Sequence, residues 1–424
     1  MQPRIAVLGA GLGGLITAYE LRHALGGIAS ISLIGQSPDY WFVPSNPWVA
    51  VRWRKPEAIK VHLPPIMNKL GISFTDKGAK KVDPKNNSVE LMDGSKIDYD
   101  YLVIATGPQL AFDEIEGLGP DAHTASICET AHADKAAEMI DKLIANPGPV
   151  IIGATQGVSC FGPAYEFAMI VDTELRKRKM RDKVPMTFFT PEPYVGHLGL
   201  DGVGDTKGLL ESEMRKRHIK WVTNARVTKI EANLLHGEEV AMDGSVIAKH
   251  ELPFNFAMLM PPFRGVDAVM GVEGLINPRG FILSDRKQQN PNFPNVFSVG
   301  VCVAIPPMGK TAVPVGVPKT GFMIESMATA VTENIKSMIK GEAPTAEASW
   351  NAICLADFGD GGVAFFAEPQ LPPRNRNTAY EGKWVHFAKI AFEHYFLAKI
   401  KRGVSEPFFE TWGLRLMGMG KLNK

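Results

Sequence analysis

A strand that runs directly into Gly9-Ala-Gly11-Leu-Gly13-Gly14 leaves this chain few ways to fold. Arg4-Ile-Ala-Val-Leu8 is a short apolar run, the glycines follow at once, a helical pattern continues to about Leu25, and residues 31–34 read as a second strand. Strand, Gly9-x-Gly11-x-x-Gly14, helix and strand make a βαβ unit. The glycines let the main chain approach a pyrophosphate, and the helix N-terminus offers it unbonded N–H groups and partial positive charge. A structural glycine turn can match the spacing by chance, but the flanking elements make a nucleotide the better reading. One part of the pattern is missing. The acidic residue that would hold a ribose after the second strand is replaced by Gly35-Gln36-Ser37, which puts Gln36 at that position.

The rest of the chain repeats this grammar. Tyr101-Leu-Val-Ile-Ala105-Thr106-Gly107 is a buried strand and turn, and Asn295-Val-Phe-Ser-Val-Gly300-Val301 is another. Between them, Val150-Ile-Ile-Gly153-Ala-Thr-Gln-Gly157 leads into a helix expected over about 164–179. Its turn is a spoiled phosphate loop, with Thr155 and Val158 where the second and third glycines would stand. The expected fold class is therefore α/β, with two Rossmann-like dinucleotide-binding domains. A discontinuous first domain takes 1–118 and 295–345, a second takes 119–294, and a C-terminal region takes 346–424.

Composition excludes several alternatives. A chain of 424 residues with 45% hydrophobic and 21% charged residues is neither disordered nor fibrous and should hold two or three units. Its net charge of +1 provides no field for nucleic acid. The 4 cysteines, Cys128, Cys160, Cys302 and Cys354, are too scattered for a disulfide scaffold and lack zinc spacing, so no metal is expected. Neither a secretory signal nor a spanning helix is visible.

Cysteine chemistry is the alternative to scaffolding. Cys160 stands just ahead of a helix starting near Pro163, where the dipole and free N–H groups should lower its pKa. Cys128 follows Ser126 in a capping-box pattern, Ser126-Ile-Cys-Glu129, and Cys354 precedes a glycine-rich stretch. Each alone could equally be a small buried hydrophobe.

Together with Val43-Pro44-Ser-Asn-Pro-Trp48, Ser159-Cys160-Phe-Gly-Pro-Ala-Tyr-Glu166, Gly196-His197-Leu-Gly199, Pro318-Lys319-Thr-Gly321 and Val404-Ser-Glu-Pro-Phe408, the chain resembles sulfide:quinone oxidoreductases nearly end to end. These are two-dinucleotide-domain flavoproteins. The resemblance implies FAD as cofactor, bound by Gly9, Gly11, Gly13, Gly14, Gln36, Pro44, Ala105, Thr106, Gly107, Gly300, Val301, Lys319 and Gly321. It implies a sulfur bridge between Cys160 and Cys354 that hydrosulfide opens, with Cys354 passing electrons to the flavin and sulfur accumulating as polysulfide or elemental sulfur. It assigns Cys128 to sulfur handling or covalent FAD attachment, and Glu166, His132 and His197 to proton handling. Cys302 has no such counterpart and reads as structural.

The electrons would go to a membrane quinone between Phe392, Phe409 and Leu355, and the likeness admits a homo-oligomer. From Lys383 onward 8 basic residues face 3 acidic ones. Two aromatic-rich segments there, 383–402 and 407–419, read as helices lying in a bilayer interface. This makes the expected location the cell membrane, peripherally bound. In 383–402, His386, Lys389 and Glu393 form a narrow polar stripe. One alternative shares the fold, a type II NADH:quinone oxidoreductase, for which Glu192 is the available ribose ligand; another is of a different class, a flavin redox sensor or sulfur carrier without turnover. A flavocytochrome sulfide dehydrogenase is a weaker fourth.

Overall fold

The computed structural model of the chain describes residues 2–407 and 419–423. The first sheet is parallel throughout. Strand β1 (Arg4–Leu8) is followed by helix α1 (Leu12–Leu25), β2 (Ser30–Ile34), the short helix α2 (Asn46–Ala50), β3 (Ser73–Thr75) and β4 (Tyr101–Ile104). Much later the chain returns as β9 (Val296–Ser298), so the spatial order is β9-β4-β1-β2-β3. Four of the five β1 residues are buried, as expected of a strand covered on both faces. A Cβ on Gly14 would lie 1.7 Å from the Gly9 carbonyl oxygen, so only glycine lets α1 sit this close to the loop that precedes it.

A second parallel sheet has the order β7-β6-β5-β8, from β5 (Val150–Ala154), β6 (Met186–Phe189), β7 (Ile219–Val222) and β8 (Phe256–Met260). Helices α3 (Thr130–Ala145) and α4 (Gly162–Lys177) flank it, and small antiparallel sheets extend both units. Helix α4 starts two residues earlier than its apolar pattern suggested. After β9, helix α5 (Gly321–Ile339) packs on α1.

The C-terminal unit is an antiparallel meander of β10 (Ala352–Asp357), β11 (Gly362–Glu368) and β12 (Arg376–Glu381), then helix α6 (Trp384–Arg402). Helix α6 is turned inside out. Its charged residues Lys389 and Glu393 are buried, whereas Trp384 is 48% and Phe387 68% exposed. The inward charges are all matched. His386 Nδ1 lies 2.8 Å from Asp357, Lys389 lies 3.0 Å from Glu166, and Glu393 accepts from Arg54 Nε at 2.8 Å and Ser45 Oγ at 2.5 Å. Of the basic residues gathered at the end of α6, Lys401 and Arg402 are exposed, but Lys399 is buried 2.6 Å from Glu325 of α5. The second aromatic segment falls almost wholly outside the described residues, and among the described residues no helix is long and apolar enough to cross a membrane.

Candidate active site

Three cysteines distant in sequence form a row. Strand β5 delivers the loop that holds Cys160, Cys354 sits inside β10 opposite Phe365, and Cys128 lies two residues ahead of α3. Cys160 feels the charge of Cys128, and Cys354 feels that of Cys160, while all are free thiols. The sulfur of Cys128 approaches the thioether of Met260 at 3.9 Å. Burial pushes each of the three thiols up to about 12. This reverses the lowering expected for Cys160 from the helix N-terminus, because the cost of desolvating a thiolate exceeds the pull of Lys319 and Lys389. The capping box at Ser126 is also corrected. Helix α3 begins at Thr130 without a side-chain cap, and the Ser126 hydroxyl accepts instead from the Cys128 N–H at 3.2 Å. Cys302 is buried with its thiol donating to the carbonyls of Ile104 and Val299, a structural role.

Glu166, one turn into α4, faces this row. Burial raises its carboxyl to about 7, the Asp357 carboxylate pushes the same way, and Lys389 opposes both. Lys389 also donates to the Leu355 carbonyl at 3.4 Å, next to Cys354, while Glu166 Oε1 is buried without a partner. Sequence reasoning missed that Lys389 faces the candidate site. The stripe to which it belongs was visible, but not the side it faces.

The histidines divide. His197 is buried, and its Nδ1 accepts from the Gly199 N–H at 3.1 Å. Burial lowers its pKa, so the neutral ring carries its proton on Nε2. Gly199 packs against the ring of Phe161, the neighbour of Cys160. His132 lies 3.6 Å from Glu129 and against the Phe112 ring, and among the described residues none of its polar contacts reaches the cysteines.

At the other end, the N-termini of α1 and α5 meet: a Cβ on Gly321 would be 4.0 Å from Leu12. Neither helix has a side-chain cap. The Thr320 hydroxyl is buried without a partner. Burial lowers Lys319 to about 8, and among the described residues it has no hydrogen-bond or ion-pair partner. Ala105 packs on Gly9, and Thr106 and Gly107 follow it at the end of β4. Gly300 (φ +88°) and Val301 form a tight turn after β9, and Gln36 and Pro44 are exposed at the rim.

The second unit offers no comparable cradle. Gln156 occupies its turn, bonding the Val227 main chain at 2.9 and 3.0 Å, and Gly157 and Val158 pair with residues 314–316. Glu192, the ribose candidate, is fully buried and accepts from Tyr165 Oη, Thr190 Oγ1 and the Leu198 N–H at 2.6–2.7 Å. It is a core residue.

A family model described as pyridine nucleotide-disulphide oxidoreductase matches residues 3–331. The chain is 45% identical to the sulfide-quinone reductase of Aquifex aeolicus (strain VF5), over 97% of this chain and 94% of that protein. It is 26% identical to a mitochondrial sulfide:quinone oxidoreductase of Dictyostelium discoideum, over 73% and 67% of the two chains. An X-ray structure of the Aquifex aeolicus sulfide:quinone oxidoreductase superposes with TM-score 0.94 at 44% identity, covering 100% of this chain and 97% of that one. The chain belongs to the sulfide:quinone oxidoreductase family.

Sulfide:quinone oxidoreductases are FAD flavoproteins, and the residues here fit the group. A Cβ on Gly11 would meet nothing within 4 Å, which leaves open the space a pyrophosphate takes at the α1 N-terminus. The unpartnered Thr320 hydroxyl and Lys319 ammonium supply a donor and a cation where α5 begins. Of the family-type quinone residues, Phe392 is half-buried, 4.4 Å from Phe396 and 6.0 Å from Phe42 between ring centroids. Leu355 is half-buried beside Cys354. Phe409 lies outside the described residues. A Plasmodium falciparum NDH2 bound to NADH superposes with TM-score 0.69 at 12% identity, covering 100% of both chains, a likeness of fold alone.

Proposed function

We propose that the chain oxidises hydrosulfide and passes two electrons through FAD to a quinone in the membrane at which it docks peripherally. The observation that carries this reading is the row of Cys128, Cys160 and Cys354 beside the Glu166–Lys389 pair, beneath a helix with an aromatic outer face. Bound at the α1 N-terminus, FAD supplies a two-electron acceptor for sulfur and a two-electron donor for quinone.

The working form has Cys160 and Cys354 linked through sulfur. Hydrosulfide opens the link by exchange: a new S–S bond forms to Cys160, the old one breaks, and Cys354 leaves as a thiolate. A thiol that holds its proton up to about 12 makes an energetic thiolate, and Lys389 is the first group favouring that charge. The persulfide proton passes to Glu166, whose value of about 7 suits both uptake and release. Cys128 beside Cys160 receives or releases sulfur, and neutral His197 serves the entry path with His132 further out. Lys319 balances negative charge gathering on the cofactor. Hydrosulfide, one proton and quinone thereby become sulfur and quinol.

Phe392 and Leu355 line the quinone slot. The Lys389–Glu166 pair delivers protons there. The aromatic cluster of Phe392, Phe396 and Phe42 near the charged pair suits a flat apolar ring with two carbonyls.

Anaerobic addition of sulfide should bleach the flavin, and a soluble quinone analogue should restore it. NADH should leave the spectrum unchanged, because Glu192 and Gln156 are consumed by the core. Failure of sulfide to bleach, or of quinone to reoxidise, overturns the reading. Bleaching by NADH would favour the type II alternative, and persulfide formation without quinone reduction would favour the sensor.

A further inference from the structure

The stretch Ser45-Asn46-Pro47-Trp48 has no part in the scheme above, yet each of its polar side chains is buried and bonded to a distant part of the chain. It leads into and forms most of the short helix α2. Ser45 Oγ donates to Glu393 of α6 at 2.5 Å, and Trp48 Nε1 donates to Asp357 at the end of β10 at 2.8 Å. Asn46 reaches across to the second unit. Its Nδ2 donates to the Ile127 carbonyl at 2.9 Å, and its Oδ1 accepts from the Thr130 hydroxyl at 2.9 Å.

Those two partners stand on either side of Cys128. Ile127 precedes it directly, and Thr130 is the first residue of α3, which lacks a side-chain cap. The near end of this segment is fixed to the second sheet, where the Ala125 N–H donates to the Ala257 carbonyl of β8 at 2.7 Å. Cys128 then turns its sulfur to the Met260 thioether. The Met260 carbonyl in turn accepts from the Thr155 N–H and Oγ1, both at 3.0 Å, where the loop that carries Cys160 begins. A carboxylate at position 46 could not donate to Ile127, and an ammonium could not accept from Thr130; an amide does both.

We propose that Asn46 is a positioning residue for Cys128, holding its thiol where it takes sulfur from a persulfide on Cys160. In that step Cys128 gives up its proton and attacks the outer sulfur. A new S–S bond forms to Cys128, the S–S bond to Cys160 breaks, and Cys160 leaves as a thiolate that accepts the proton. The transfer is neutral in electrons, and it clears Cys160 for the next hydrosulfide. The inference rests on the reading that Cys128 handles sulfur.

The readout is the sulfur carried by each cysteine of the FAD-loaded enzyme, trapped by alkylation and weighed by peptide mass spectrometry after successive equivalents of sulfide with a soluble quinone analogue. In the wild type sulfur should pass from Cys160 to Cys128. In Asn46→Ala the first bleaching of the flavin by sulfide should stay near normal, but transfer to Cys128 should slow about tenfold or more and sulfur should accumulate on Cys160. Thr130→Val, which removes the donor to Asn46, should share the defect, and Thr130→Ser, which keeps it, should not. In a Cys128→Ser background Asn46→Ala should lower repeated turnover no further, because both changes act on one step.

The two failures are distinct. If the wild type never carries sulfur on Cys128, the role of Cys128 falls. If the wild type does, while Asn46→Ala and Thr130→Val load Cys128 at the wild-type rate and only lose thermal stability, Asn46 is merely structural and the proposal is overturned. Should Asn46→Ala not fold, the contrast between Thr130→Val and Thr130→Ser decides the matter.

Discussion

Replacing Cys354 with serine should leave a folded, yellow protein that sulfide no longer reduces, with sulfide-dependent turnover down by a factor on the order of 10³ or more. Cys160→Ser should do the same. A serine oxygen cannot form or exchange a bond to sulfur, so the loss is chemical and not a matter of packing. The two effects should not add, since both cysteines serve one link. Cys302→Ser is the control: its thiol only donates to the carbonyls of Ile104 and Val299, which a hydroxyl also does. Stopped-flow reduction of the flavin by sulfide checks all three. Near-normal reduction in either Cys160→Ser or Cys354→Ser would remove the basis of the mechanism.

The second large effect concerns the membrane. Trp384 and Phe387 project from the exposed side of α6. Burying each in lipid should contribute about 1.5–3 kcal/mol, so Trp384→Glu with Phe387→Glu should weaken vesicle binding by a factor on the order of 10² to 10⁴. Flavin reduction by sulfide should persist, because the cysteine row lies on the opposite side of the helix. Turnover with a lipid-soluble quinone in vesicles should fall, while turnover with a water-soluble analogue should survive. Co-sedimentation with anionic vesicles measures the first effect and the paired quinone assays the second. Unchanged sedimentation would show that another surface docks the protein.

Much of the fold was legible because its signals are local. The Gly9 to Gly14 fingerprint works through the backbone of six consecutive residues, and β1, α1 and β2 form as their pattern dictates. The spoiled turn at Gly153 was equally plain, and its partner Glu192 was named as the residue that could rescue nucleotide binding. What could not be read was that Tyr165, Thr190 and Leu198 turn Glu192 into a satisfied core acid. Cys160 illustrates the same limit. The favourable dipole is visible in Pro163 and the helix that follows, but the larger opposing effect is burial, to which distant segments contribute.

Helix α6 draws the division most clearly. Sequence alone determined that residues 384–402 form a helix with a narrow charged stripe amid aromatics, since helical period is a property of the chain itself. Which side of that helix meets the protein was decided only by tertiary structure. The stripe turns inward because Asp357, Glu166, Ser45 and Arg54, brought there from three other parts of the chain, supply its partners. Unpaired, three such groups would not leave water; paired, they bury, and the aromatics are left outside. The glycine fingerprint similarly announced a dinucleotide site from one turn of chain. The proposed centre of Cys128, Cys160, Cys354, Glu166 and Lys389 is assembled only once the second unit and the C-terminal meander have folded against the first, because no two of its sulfurs are neighbours along the backbone.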